Sequence, residues 1–232
     1  MKIRNSIALV TGANRGLGRA FAQALLAHGA ARVYGAARDP SAVGIPGVQA
    51  LALDITDPDS VAAAVAAAPD VTLLINNAGI FRAAPLLAPD AEAATRAQLE
   101  TNLFGTLRMS RGFAPVLRAN GGGAIANVLS VLSWFNLPGT AAYGISKAAA
   151  WALTNGLRNE LRAQGTQVLG VHAAFIDTDM ARNLAAPKIR PEEVARQTLE
   201  AIEAGRWEVL ADETTRRVKQ DLVAEPPAYA RA

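Results

Sequence analysis

Residues 7–18 read IALVTGANRGLG, and this stretch decides the fold. The apolar residues at 7–10 predict a buried strand, and the apolar spacing from 17 to about 27 predicts a helix. The glycines between them, spaced Gly-x-x-x-Gly-x-Gly, permit backbone angles closed to other residues and a close approach to a phosphate. The stretch therefore predicts a dinucleotide site at a helix N-terminus. A glycine-rich turn without a ligand is the alternative, which the flanking strand and helix disfavour.

Short apolar runs alternate with helical patterns along the rest of the chain, which predicts repeated βα units around a parallel sheet. Further strands are predicted at 32–37, 49–53, 71–75, 124–129, 168–173 and 207–210. Further helices are predicted at 57–67, 91–117, 142–163 and 191–204. The sequence thus predicts one doubly wound α/β domain of Rossmann type over residues 1–232, with a seven-stranded, mostly parallel sheet.

The connection between the second and third predicted strands is unusually short. Residues 39–48 include two prolines and two glycines. A crossover between parallel strands normally needs a dozen or more residues, usually in a helix. We therefore predict that the helix on this edge is reduced or absent.

Composition excludes several classes of function. The chain has no cysteine, and its two histidines, His28 and His172, lie in different segments. Disulfides, thiolate metal sites and histidine metal clusters are therefore not expected. Basic residues are scattered apart from Arg216, Arg217 and Lys219, which are interpreted as a solvated helix face, so no nucleic-acid partner is predicted. The apolar run near the N-terminus is too short for a signal peptide or a membrane span, which favours a cytoplasmic protein without a membrane partner.

The end of the second predicted strand bears on the choice of dinucleotide. NAD-selective sites place an acid there to bind the ribose hydroxyls, whereas this chain has Ala37 followed by Arg38. A guanidinium can bind a 2′-phosphate through two hydrogen bonds, and Arg15 supplies a second cation in the glycine turn. Either arginine could simply be solvated, but together with the missing acid they favour NADP(H).

Tyr143 and Lys147 stand four residues apart in a predicted helix, so their side chains share one face. An ordinary tyrosine has a pKa of about 10, and a neighbouring ammonium lowers it. A shift to about 7 would need roughly 4 kcal/mol, which Lys147 and an oxidised nicotinamide together could supply. We therefore expect a lowered pKa at Tyr143. A lone pair of this spacing is common by chance in helices.

Five motifs in order make the chain resemble the short-chain dehydrogenase/reductase family over residues 7–180. They are the glycine turn, Asn76-Asn77-Ala78-Gly79, Asn102, Ser130 thirteen positions before Tyr143, and the Tyr143/Lys147 pair. The resemblance implies that the cofactor is bound by Gly12, Asn14, Arg15, Gly16, Leu17, Gly18, Arg38, Asp54, Ile55, Asn77, Ala78, Gly79, Tyr143, Lys147, Ile176 and Thr178.

The resemblance also implies catalytic roles. Tyr143 would donate a proton to a carbonyl oxygen that Ser130 orients, and Ser133 fits the serine spacing less well. Lys147 would bind the nicotinamide ribose, and Asn102 would help to hold Lys147 and a relay water. The implied activity is NADPH-dependent reduction of a small ketone or aldehyde. Oxidation of the matching alcohol and a catalytically idle NADPH-binding sensor are the alternatives.

The sequence departs from the family after the sixth strand, where the matching stretch from His172 to Thr178 lacks the usual Pro-Gly. The substrate pocket is predicted to be lined by Phe81, Leu132, Trp134, Phe135, Leu137, Phe175 and Met180. Such a pocket favours an apolar or aromatic substrate, although Trp134 and Phe135 could instead belong to the core or to an oligomer contact. By analogy with the family, a homodimer or homotetramer would form through the helices that carry Asn102 and Tyr143.

Overall fold

Seven strands form one sheet in the computed structural model, which describes residues 1–230. The strands are β1 (Ile7–Thr11), β2 (Arg32–Ala37), β3 (Gln49–Ala52), β4 (Leu73–Asn76), β5 (Gly123–Val128), β6 (Thr166–His172) and β7 (Glu208–Leu210). Their order is β3-β2-β1-β4-β5-β6-β7, and every neighbouring pair is parallel. The predicted doubly wound sheet is confirmed, with each boundary within two residues, and it is wholly rather than mostly parallel.

The helices connect these strands on both faces of the sheet. They are α1 (Gly16–Ala27), α2 (Pro58–Ala67), α3 (Ala91–Leu99), α4 (Thr106–Ala119), α5 (Ala141–Glu160), α6 (Pro191–Glu203) and α7 (Glu213–Gln220). The single helix predicted over 91–117 is wrong in one respect, because a π-helical turn at Glu100–Gly105 divides it. The helix α7 contains Arg216, Arg217 and Lys219, where a helix face was expected without stated bounds. None of these helices is long and apolar enough to cross a membrane.

The sheet is covered by two hydrophobic cores because adjacent strand residues point to opposite faces. Val10 packs with α1 and α6, where Phe21 is fully buried. Its neighbour Leu9 packs with α2, α4 and α5, where Phe113 is fully buried. Each such side chain contributes about 1.5–3 kcal/mol through burial.

The crossover from β2 to β3 contains only a 3₁₀ turn at Pro40–Ala42. Asp39 caps this turn by accepting a hydrogen bond from the Ser41 N–H at 3.0 Å. The connection lies directly against Gly35, where an added Cβ would come within 2.7 Å of Val48. The short loop thus covers the sheet in place of a helix, and the prediction of a reduced helix is confirmed.

The strand order places the loops that follow β1 and β4 on either side of a crevice. The chain runs outward from β1 to β2 and β3, and then returns to the other side of β1 to form β4. Connections leave in opposite directions at this point, and ligands of open α/β sheets bind outside the carboxyl ends of such strands. The predicted glycine turn follows β1, and Asn77, Ala78 and Gly79 follow β4.

Candidate active site

A cavity of about 650 Å³ opens at the carboxyl edge of the sheet and extends from the glycine turn to Tyr143. The predicted cofactor and catalytic residues that line it are Gly12, Asn14, Arg15, Gly16, Leu17, Arg38, Asp54, Ile55, Asn77, Ala78, Gly79, Ser130, Tyr143, Lys147, Ile176 and Thr178. Gly18 and Asn102 do not line it. The structure therefore brings nearly all of the predicted residues around one space.

The glycine turn takes conformations that side chains rarely adopt. Gly12 has a φ of +68° and Gly16 a φ of +52°. Gly18 has another role, because an added Cβ there would lie 2.1 Å from the Gly12 carbonyl oxygen. Gly18 was predicted to bind the cofactor, but in the structure it allows α1 to pack beneath the turn.

Thr11 and Asn77 join the glycine turn to the end of β4. The Thr11 hydroxyl accepts hydrogen bonds from the N–H groups of Asn77 and Ala78 at 3.0 and 2.9 Å. The Asn77 side chain donates to the Thr11 carbonyl oxygen at 2.9 Å. Thr11 was not predicted to have a role, although its hydroxyl stands directly before the first glycine of the turn. The two loops are therefore held as one rigid wall.

Two arginines, Arg15 and Arg38, line the cavity near the glycine turn. Arg38 lines the cavity after β2, and its charge lowers the pKa of Asp54 in addition to the larger effect of the Thr56 hydrogen bonds. The Asp54 carboxylate accepts from the Thr56 N–H and hydroxyl at 2.9 and 2.7 Å. Arg15 is exposed and lies 3.3 Å from Asp179. A phosphate that recruits Arg15 would have to compete with this carboxylate.

Tyr143 lies in the first turn of α5, with its ring edge-on to Phe81 at 5.3 Å between centroids. Burial raises the pKa of Tyr143 well above its ordinary value, and a hydrogen bond with the Ser130 side chain opposes this effect only in part. The lowered pKa expected from Lys147 and a bound oxidised nicotinamide is not found in this structure, because desolvation outweighs the hydrogen bond with Ser130. Tyr143 is therefore a protonated phenol at neutral pH.

Lys147 is buried one helical turn after Tyr143. Its ammonium nitrogen donates to the Val128 carbonyl oxygen at 2.8 Å and lies 5.6 Å from the centroid of the Tyr143 ring. Burial lowers the pKa of Lys147 to about 8. No local sequence pattern indicates the Val128 contact, because it depends on how α5 packs against β5.

Ser130 follows β5 and caps the 3₁₀ turn Val131–Ser133. Its hydroxyl oxygen accepts from the Leu132 N–H at 3.1 Å, while the Ser133 hydroxyl accepts from the Ser130 N–H at 3.4 Å. Ser130 lines the cavity and Ser133 does not. Of the two serines, Ser130 is therefore the one in contact with the site, and Ser133 supports its backbone.

Asn102 lies in the π-helical turn behind the cavity and is almost fully buried. Its amide accepts from the Ile80 N–H at 2.8 Å and donates to the Ile80 carbonyl at 3.0 Å. It also donates to the hydroxyl of Ser146, the neighbour of Lys147, at 2.9 Å. Asn102 thus joins the segment after β4 to α5. Ser146, which lies between Tyr143 and Lys147 in the sequence, was not singled out as a site residue.

The predicted substrate pocket is only partly correct. Phe81, Leu132, Phe175 and Met180 line the cavity. The cavity is not lined by Trp134, Phe135 or Leu137. The 3₁₀ turn redirects the chain after Leu132, so that the Trp134 ring stacks on His172 at 4.1 Å instead. Phe135 and Leu137 continue along the segment toward α5, where the Leu137 N–H donates to the Thr140 hydroxyl at 3.0 Å.

Within residues 1–230, no group of three histidine, aspartate or glutamate side chains is placed to hold a metal ion.

Comparison with known proteins agrees with the motifs. The family model described as short chain dehydrogenase matches residues 6–188. A 3-oxoacyl-[acyl-carrier-protein] reductase of Vibrio cholerae is 34% identical over 217 residues, covering 89% of this chain and 85% of that protein. A gluconate 5-dehydrogenase of Gluconobacter oxydans is 32% identical over 217 residues, covering 86% and 81%.

A solved structure is closer still. The short chain dehydrogenase from Burkholderia cenocepacia, crystallised in complex with NADP, superposes with a TM-score of 0.93. It is 44% identical, and the match covers 97% of this chain and 96% of that one. The family model, the relatives and the arrangement of Tyr143, Lys147 and Ser130 agree, and the chain belongs to the short-chain dehydrogenase/reductase family of oxidoreductases.

Proposed function

We propose that this protein is an NADP(H)-dependent carbonyl reductase that acts on small apolar or aromatic ketones and aldehydes. The observation that carries the proposal is the shape of the cavity. The glycine turn and Arg38 line one end of the cavity. The other end is lined by Tyr143, Ser130 and Lys147. One ligand can therefore meet a phosphate-binding turn and a proton donor at the same time.

The residues present fit an NADP(H) cofactor. The positive φ values at Gly12 and Gly16 let the backbone approach a pyrophosphate, and the N-terminus of α1 faces the cavity. Arg38, and Arg15 once released from Asp179, would hold a 2′-phosphate. Asp54, Ile55, Ala78, Gly79, Ile176 and Thr178 would border the remaining parts. When bound, NADPH supplies the hydride that is added to the carbonyl carbon.

Side chains of the protein supply the proton that the carbonyl oxygen receives. Ser130 donates a hydrogen bond to the carbonyl oxygen, and Tyr143 donates its phenolic proton as that oxygen gains charge. The Lys147 ammonium stabilises the negative charge that develops on the Tyr143 oxygen. Asn102 keeps the segment after β4 and the Lys147 helix turn in place. The product is the secondary or primary alcohol, and the same groups in reverse oxidise it.

The substrate class follows from the residues after the strand ends. Phe81 follows β4, Leu132 follows β5, and Phe175 and Met180 follow β6, all on the cavity wall. These side chains favour an apolar or aromatic carbonyl compound. A 3-oxoacyl thioester is the second candidate, because several relatives about one third identical are named 3-oxoacyl-[acyl-carrier-protein] reductases.

The test is cofactor consumption by the purified protein. Acetophenone, benzaldehyde, a linear ketone and acetoacetyl-CoA would each be offered with NADPH and, separately, with NADH. We expect NADPH-selective reduction of the apolar and aromatic compounds. Turnover of acetoacetyl-CoA alone would assign the substrate to the second class. NADPH binding without turnover in either direction would overturn the enzyme proposal in favour of the sensor.

We expect kcat/KM for carbonyl reduction to fall as pH rises through about 8. Lys147, whose pKa is about 8, loses its charge there, and the developing charge on Tyr143 is then no longer stabilised. Tyr143 keeps its proton over the same range because its pKa is raised. Initial rates between about pH 6 and about pH 10 would show the decline. The residual activity of Lys147→Met should lack this limb, and an identical profile in that variant would contradict the assignment.

We also propose that the protein forms a homodimer or homotetramer through the helices near Asn102 and Tyr143. Phe104 and Ile145 are 44% and 38% exposed on these elements, and pairing of two copies here would remove both side chains from water. Sedimentation velocity of the wild type and of Ile145→Glu would test this, with a lower mass expected for the variant. A cytoplasmic location stays a prediction from the sequence.

A further inference from the structure

His172, the last residue of β6, is fully buried beside the segment that carries Ser130. Its Nδ1 lies 2.9 Å from the Ser130 carbonyl oxygen. A carbonyl oxygen can only accept, so Nδ1 must carry the proton in this contact. The same carbonyl accepts from the Ser133 N–H at 3.1 Å. Ser130 is therefore held through its backbone by a side chain from another strand.

The His172 ring also contacts the far end of the turn that Ser130 begins. It stacks on Trp134 with 4.1 Å between ring centroids and 22° between planes. His172 thus fixes both ends of the turn Val131–Ser133.

A third layer holds the stacked rings from outside. Glu208 of β7 lies 3.3 Å from His172 Nε2, and Lys219 of α7 lies 3.1 Å from the same carboxylate oxygen. Lys219 also lies 4.5 Å above the Trp134 ring. Burial opposes ionisation of Glu208, but His172 and Lys219 together keep its pKa below the usual value. The helix α7 therefore supports the rings from outside.

We propose that His172 is a positioning residue for Ser130, and that the Nδ1–H of His172 and its stack on Trp134 hold the turn that presents the Ser130 hydroxyl to the substrate oxygen. This inference rests on the proposed catalytic role of Ser130. His172 does not line the cavity, so it acts only through the turn. A ring in the other tautomer, with Nδ1 unprotonated, would repel the carbonyl oxygen.

Two substitutions separate the hydrogen bond from the packing. His172→Phe keeps a ring against Trp134 but removes the donor, and we expect kcat to fall about tenfold with the KM for NADPH unchanged. His172→Asn restores an N–H near the Nδ1 position and should recover most of kcat. His28→Gln, which changes the exposed histidine of α1's C-terminus, is the matched control and should keep wild-type kcat.

Nitrogen-15 NMR of the histidine rings gives a readout that does not depend on turnover. The chain has only two histidines, so the spectrum of His28→Gln assigns His172 directly. We expect a protonated Nδ1 at His172. An unprotonated Nδ1, wild-type kcat in His172→Phe, or equal losses in His172→Phe and His172→Asn at wild-type melting temperature would overturn the inference. A wild-type protein without carbonyl turnover would instead overturn the proposed function, because the NMR signal reports the hydrogen bond alone.

Discussion

Tyr143→Phe is expected to lower kcat for carbonyl reduction by roughly two to four orders of magnitude, the usual contribution of a positioned proton donor. The change removes only the hydroxyl. The phenyl ring can keep its edge-on contact with Phe81, so the cavity wall is retained. The pKa of Tyr143 is raised by burial, so the hydroxyl keeps its proton at neutral pH and can act as the acid in the proposed mechanism. Steady-state rates with saturating NADPH would measure the loss.

The control for this substitution lies elsewhere in the same chain. Tyr229 is 61% exposed near the C-terminus, and Tyr229→Phe should leave kcat unchanged. NADPH binding, followed by its fluorescence, should be equal in Tyr143→Phe and the wild type. A Tyr143→Phe variant within threefold of wild-type kcat, a margin of about 0.7 kcal/mol, would remove Tyr143 from the proposed mechanism.

Arg38→Ala is expected to raise the KM for NADPH roughly 10- to 100-fold and to leave the KM for NADH unchanged. A hydrogen bond to a charged group contributes about 1.5–3 kcal/mol, which corresponds to this range. NADH lacks the 2′-phosphate that the guanidinium would bind, so the substitution should not change its KM. Parallel titrations with the two cofactors and one ketone would measure the selectivity.

A second arginine separates a specific contact from a general loss of positive charge. Arg118 is exposed in the last turn of α4, just before β5 begins at the opposite edge of the sheet from the cavity. Arg118→Ala removes the same charge and should change neither KM. Equal increases in the KM values for NADPH and NADH in Arg38→Ala would show that Arg38 does not bind the 2′-phosphate. Arg15→Ala should have a smaller effect, since Asp179 already occupies its guanidinium.

The parts of the site that sequence reasoning located correctly are those encoded within one βα unit. The glycine turn is the clearest case, because Gly12 and Gly16 sit between a strand and a helix that the apolar pattern already predicts. Tyr143 and Lys147 are similar, since the helical repeat alone puts them on one face. The short β2–β3 crossover was also predictable, because chain length limits what can span two parallel strands.

The errors arose where packing between distant segments decided the outcome. Trp134 is aromatic and follows Ser130 closely, which suggested that it lines the substrate pocket. Its ring instead stacks on His172 of β6. The π-helical turn that divides the predicted helix 91–117 contains Asn102, whose amide forms hydrogen bonds with Ile80 and Ser146 from other segments. The raised pKa at Tyr143 depends on how deeply α5 is buried. No local pattern contains this information.

The sequence by itself determined the parallel sheet, the dinucleotide turn and the spacing of Ser130, Tyr143 and Lys147, because each depends on neighbours only a few residues apart or on the direction of consecutive strands. Only the tertiary structure decided how Ser130 is held. Its carbonyl meets His172 across 42 positions of the chain, through a contact that exists only once β5 and β6 are paired. A hydrogen bond of this kind is stronger when it is buried. Burial is a property of the folded molecule rather than of any one segment.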